Sequence, residues 1–145
     1  MGRLLVGSEG TLGFFKRIHL DLQPIPPEKV LGVCHFPSFY EAMDATQHIV
    51  KLDPDAVELI DRTMIELARD IPIFASTVNR LVRGEPEALL LVEFAGENGD
   101  QQLRRLRQLV ELMGDLGFPD SVVEASDKEF QNAIWEVRKS GLNIM

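Results

Sequence analysis

Ala88-Leu89-Leu90-Leu91-Val92-Glu93-Phe94 is a near-continuous apolar run, interrupted once by Glu93. It lies between a turn signal, Gly84-Glu85-Pro86, and a loop signal, Gly96 to Gly99. Such a run predicts a strand in the middle of a sheet, apolar on both sides. On its C-terminal side, Asp100 is placed to cap a long helix with Leu103, Leu106, Leu109, Val110, Met113 and Leu116 turned inward, and Gly117 to close it. Asp120 to Ala125 predicts the last strand. Ser126 and Glu129 have capping-box spacing and open a helix through Phe130, Ile134 and Val137.

On the N-terminal side the same grammar appears once more. Lys29 to Phe36 reads as a strand ended by Pro37. Ser38 and Glu41 then form a capping box for a helix whose stripe is Phe39, Ala42, Met43, Thr46, Ile49 and Val50. Asp53-Pro54-Asp55 is a turn, and Ala56 to Ile60 a short strand. Asp61 caps a helix through Met64, Ile65, Leu67 and Ala68 that Pro72 stops, and Phe74 to Leu81 is a second short helix. The order is strand–helix–strand, a helical insert, then strand–helix–strand. That predicts the α+β class: a ferredoxin-like split βαβ sandwich, with its two main helices on one face of an antiparallel sheet.

A sheet with helices on one side leaves the other side to be explained. One register aligns His35, Glu58, Glu93 and Glu124 on the helix-free face, either lining a cavity or meeting solvent. A one-residue slip sends each side chain to the opposite face.

The 145 residues fit one domain with a substantial core, and 45% hydrophobic and 26% charged residues are ordinary for a globular chain. A net charge of -8 argues against nucleic acid as a partner. Arg104, Arg105 and Arg107 read as the solvated face of their helix. A single cysteine, Cys34, excludes an internal disulfide and reads as buried packing. His19, His35 and His48 stand far apart without metal-ligand spacing, so no metal site is expected. No stretch is long and apolar enough to span a bilayer, and no leader is evident, which places the chain in the cytoplasm.

Farther upstream, Gly7-Ser8-Glu9-Gly10-Thr11-Leu12-Gly13 puts three glycines in one short loop. Successive amides in such a loop can form a nest for an anion or a carbonyl oxygen. The alternation of Phe14 to Leu22 predicts a strand after it, whereas P-loop and Rossmann glycines lead into a helix. Gln23-Pro24-Ile25-Pro26-Pro27-Glu28 reads as an extended linker. The expected division is residues 1–22, a linker at 23–28, and a domain at 29–145.

Leu4-Leu5-Val6 with the Gly7–Gly13 string and the strand behind it resembles the end of the flavin-binding domain in FAD-linked oxidases of the vanillyl-alcohol oxidase superfamily. Within it, the glycolate oxidase, D-lactate and D-2-hydroxyglutarate dehydrogenase branch is the most similar. The chain departs from the family at Phe14-Phe15-Lys16-Arg17, where aliphatic residues and Thr-Glu are usual. Ala56 to Arg62 and Trp135-Glu136-Val137-Arg138 are supporting matches. The resemblance implies FAD as cofactor, with Gly7, Ser8, Glu9, Gly10, Thr11 and Gly13 along the rim of its site. A cap domain of the ferredoxin-like kind would follow, incomplete at its C-terminus. It further implies a 2-hydroxy-acid substrate, an electron acceptor, and Arg138 in the place of a residue that clamps the substrate carboxylate.

The family's metal and base residues fall in a His-rich, Gly-Asp-Gly-Asn segment that this chain does not contain, so no catalytic residue is expected here. The chain reads as a fragment, inactive alone, with homo-oligomers expected where apolar surface is left uncovered. On the residues alone the surface arginine of an amphipathic helix is the favoured reading of Arg138, and only the resemblance raises substrate contact beside it. The alternative for the whole is a small ligand-binding or assembly module without catalysis.

Overall fold

The computed structural model describes residues 2–144. Four strands, β1 (Glu28–Phe36), β2 (Ala56–Asp61), β3 (Ala88–Gly96) and β4 (Val122–Ala125), form one antiparallel sheet in the order β2-β3-β1-β4. Helix α2 (Phe39–Ile49) and a 3₁₀ turn at Val50–Leu52 connect β1 to β2, and α5 (Gly99–Asp115) connects β3 to β4. Each pair of strands so joined is separated by a strand of the other unit, which is the split βαβ arrangement. Ala88–Phe94 is central, as its composition requires: seven of the nine β3 residues are buried.

The register divides the core in two. Val30, Cys34, Phe36, Leu90, Val92 and Phe94 face α2 and α5, where they meet Ala42, Ile49, Leu106 and Leu109. Gly32 lies beneath α5 so closely that a Cβ there would come within 2.5 Å of a Leu109 methyl. Cys34 is fully buried in this layer, and burial pushes its thiol up to about 12.

The opposite face corrects the expectation of a helix-free side. Leu31, Val33, Leu89 and Leu91 are covered there by α3 (Arg62–Arg69), α4 (Pro72–Leu81) and α6 (Lys128–Ile144), through Ile65, Val78, Leu81, Phe130 and Ile134. The physical reason is visible in β3. Its odd-numbered positions carry Leu89 and Leu91 beside the paired Glu93, and with Leu31 and Val33 of β1 they make an apolar face that needs a cover. The order and class of elements stand; the layers number three, with the insert and α6 forming the third.

The N-terminal part also differs from expectation. Gly2–Val6 forms a short helix, α1, and Phe14 to Leu22 forms no strand. Alternation supplies one face of a strand, but a strand also needs a partner for its amides, and no sheet edge pairs with this segment among the described residues. From Gly2 to Leu22 only Ser8 is buried and Leu5 half-buried; Phe14 is 98% exposed. Among the described residues no helix is long and apolar enough to cross a membrane.

Candidate functional site

Arg138 stands in α6, one turn past Ile134 and next to Val137, both of which anchor the helix to the sheet. Three contacts fix the helix in place. Gln131 Nε2 donates to the carbonyls of Lys29 and Ala125, both at 3.0 Å. Trp135 Nε1 donates to Glu93 Oε2 at 3.1 Å, and Lys29 Nζ holds the other oxygen of that carboxylate at 3.0 Å. Glu93 is 8% exposed, so this paired arrangement is what makes its charge tolerable inside the fold. The third contact is the Arg138 guanidinium itself, which donates to the Glu58 carboxylate on β2.

Arg138 and Glu58 stand at the edge of a cavity of ≈ 280 Å³ between β2, β3, α3, α4 and α6. Its inner wall is Ile65, Ala68, Val78, Leu81, Leu89 and Val137. At the lip, Asp61 accepts from the Met64 amide at 2.9 Å and so caps α3, as the sequence predicts. A guanidinium beside an apolar hollow is suited to a carboxylate whose carbon skeleton prefers to leave water. Glu58 shows that a carboxylate can reach this guanidinium.

The face expected to carry His35, Glu58, Glu93 and Glu124 carries the first three. Glu58 pairs across from Leu91, Glu93 from Leu31, and His35 from Leu89, all on the α6 side. Glu124 pairs with Gly32 and belongs to the other face, where it is exposed. His35 is a packing residue. Its Nδ1 lies 2.8 Å from the Ser121 carbonyl and so donates, leaving Nε2 to accept from the Arg83 amide at 3.1 Å. Burial is the largest cause holding its pKa below 6.5; the Arg83 charge acts the same way, while the Ser121 and Leu81 carbonyls oppose. His48 is half-buried on α2, and no metal-binding cluster exists among the described residues. Arg104 and Arg107 meet solvent, whereas Arg105 is drawn in. It stacks 4.7 Å over the Phe94 ring and donates to the Leu52 carbonyl.

The Gly7–Gly13 loop lies apart from that cavity's lining. Gly10 takes φ +82°, which requires glycine, and Glu9 takes φ +48°. The turn is closed on itself: Ser8 Oγ donates to the Leu5 carbonyl at 2.8 Å, Thr11 Oγ1 to the Ser8 carbonyl at 2.6 Å, and the Ser8 and Thr11 amides use the same acceptors. A Cβ at Gly7, Gly10 or Gly13 would meet nothing within 4 Å. By itself this loop offers one edge for a flavin and no enclosure: its hydroxyls donate within the turn, and the space beside its glycines is open.

Sequence reasoning missed the pairing of Glu58 with Arg138 and the cavity behind it. Eighty positions separate the two residues, and only the placement of α6 across β2 brings them together.

Comparison with known proteins adds the remaining findings. The family described as FAD linked oxidases, C-terminal domain, matches residues 25–145. A mitochondrial D-lactate dehydrogenase [cytochrome] of Arabidopsis thaliana is 29% identical over 140 residues, which is 97% of this chain and 23% of that protein. A D-2-hydroxyglutarate dehydrogenase of Pantoea ananatis is 32% identical over 111 residues, 74% of this chain and 11% of the relative. A probable mitochondrial D-lactate dehydrogenase of Danio rerio is 31% identical over 137 residues, 93% of this chain and 26% of the relative. The chain thus spans about a quarter or less of the length of these relatives.

Proposed function

The chain belongs to the FAD linked oxidases, C-terminal domain family, and from that premise we propose that it is the substrate-side part of an FAD-dependent oxidoreductase that oxidises a small 2-hydroxy acid. Arg138 holds the substrate's carboxylate, and the single observation that carries this reading is its guanidinium at the edge of an apolar cavity, engaged by the Glu58 carboxylate. In the whole protein FAD supplies the acceptor for the hydride that leaves the substrate's α-carbon. This chain's own part is orientation. A planar guanidinium can bind both carboxylate oxygens and so fixes the direction of the bond to the α-carbon. Trp135, Gln131 and Glu93 keep the helix that carries it from sliding.

The Gly7, Ser8, Glu9, Gly10, Thr11 and Gly13 loop is proposed as one rim of the flavin site, on its likeness to the family string. The division into residues 1–22, 23–28 and 29–145 belongs to the same proposal, supported by the proline-rich stretch between. So does a cytoplasmic compartment, which cell fractionation tests, since two of the relatives are named mitochondrial.

Alone, the chain is expected to be inactive and to release FAD. Gel filtration with added FAD tests this, and retained yellow protein refutes it. In the whole protein, Arg138→Ala is expected to cut kcat/KM for the 2-hydroxy acid about ten- to a hundredfold, the worth of a hydrogen bond to a charged group. An unchanged response to the acid removes the assignment.

A further inference from the structure

We propose that the acid held at Arg138 is a monocarboxylate with an aliphatic chain, the chain seated in the adjoining cavity and a second carboxylate excluded from it. This rests on the reading of Arg138 as the holder of a ligand carboxylate, and deepens it from the cavity's size, lining and charge.

At ≈ 280 Å³ the cavity lies below the range of about 300–1,000 Å³ that takes drug-sized ligands, so its occupant is a small molecule. Its inner wall is made of aliphatic side chains, and Arg138 is the one cation among the described residues that line it. Against that single positive charge stand two carboxylates, Glu58 and Asp61, the latter already committed to the Met64 amide. A dicarboxylic acid would bring a second anion to a wall whose described lining residues offer it neither a second cation nor another donor side chain, beside two like charges. An aliphatic chain meets the opposite situation and leaves water for a matching surface.

Glu58 has a definite part in this scheme. Its side chain is 32% exposed and that of Arg138 40%. An ion pair so open to solvent is readily exchanged for another carboxylate. Glu58 therefore occupies the guanidinium when no acid is bound and turns outward when one arrives.

The test is a titration of the 145-residue chain with the sodium salts of acetate, butanoate, hexanoate and glutarate, following the methyl resonances of Met64 and Ala68 by NMR. Affinity is expected to rise about fourfold for each buried methylene along the monocarboxylate series, with glutarate binding more weakly than butanoate. A flat series, or glutarate binding as tightly as hexanoate, overturns the proposal. The same titration on Arg138→Ala separates the two layers of the argument. If Arg138→Ala weakens every acid while the wild-type series is flat, the carboxylate role of Arg138 stands and the chain-length inference fails. If the wild-type series is steep and Arg138→Ala leaves hexanoate affinity unchanged, the carboxylate role fails and takes the proposal with it.

Discussion

At the scale of single residues, His35 and Glu93 show how a polar group is made to serve packing. His35 joins β1 to the segment after α4 and to the start of β4, through Arg83 and Ser121. Its folded pKa lies below 6.5, so between that folded value and 6.5 the unfolded chain binds the extra proton. Stability is therefore complete above about pH 6.5 and falls as the pH drops through that window, levelling off below the folded pKa. Urea melts between pH 7.5 and pH 5 check this: the loss should be smaller in His35→Gln than in the wild type, and equal losses would assign the effect to other groups. Glu93→Ala leaves the Trp135 indole N–H without its acceptor and Lys29 without its anion. We expect a cost of about 1–3 kcal/mol in chemical denaturation. Neither role was legible beforehand. One register of the sequence puts both residues on one sheet face, but their partners come from segments dozens of positions away.

At the scale of elements the caps were the most legible feature. Ser38 accepts from the Glu41 amide at 3.1 Å, the forward half of the expected capping box, while the Glu41 carboxylate returns to the Ser38 hydroxyl at 2.7 Å and not to its amide. Asp61 caps α3 as expected, and Asp61→Ala should cost about 1 kcal/mol of stability by thermal or urea denaturation. Two caps shifted by one or two residues. Asn98 rather than Asp100 accepts from Gln101, and Asp127 rather than Ser126 accepts from Phe130 at 2.8 Å. Neighbouring residues of cap type compete, and at α5 the choice falls to Asn98, which is in extended backbone where the chain leaves the sheet. Pro72 both stops α3 and serves in the first turn of α4, the one place in a helix where a missing amide costs nothing. Gly32, by contrast, carried no signal. Only the approach of α5 explains it, and Gly32→Val should cost about 1–3 kcal/mol through overpacking against Leu106 and Leu109. An unchanged denaturation midpoint would show that α5 can move away freely.

For the whole molecule, element order was enough to deduce the split βαβ sheet, whereas the number of layers was not. An insert of two short helices reads the same in sequence whether it hangs at an edge or covers a face, and β3 alone, apolar at alternate and intervening positions, held the answer. The N-terminal segment, with Phe14, Ile18, Leu20, Leu22 and Ile25 exposed, presents apolar surface without cover. Sedimentation at rising concentration is expected to show self-association, reduced by the triple change Phe14→Ser, Ile18→Ser and Leu20→Ser; a monomer throughout would contradict this. One further consequence belongs to Cys34. Placed at the sheet's centre with its thiol shifted to about 12, it is closed to alkylating reagents while the strands stay zipped. The speed at which iodoacetamide modifies it then clocks how often the entire sheet comes apart, giving this chain a built-in stopwatch for its own unfolding.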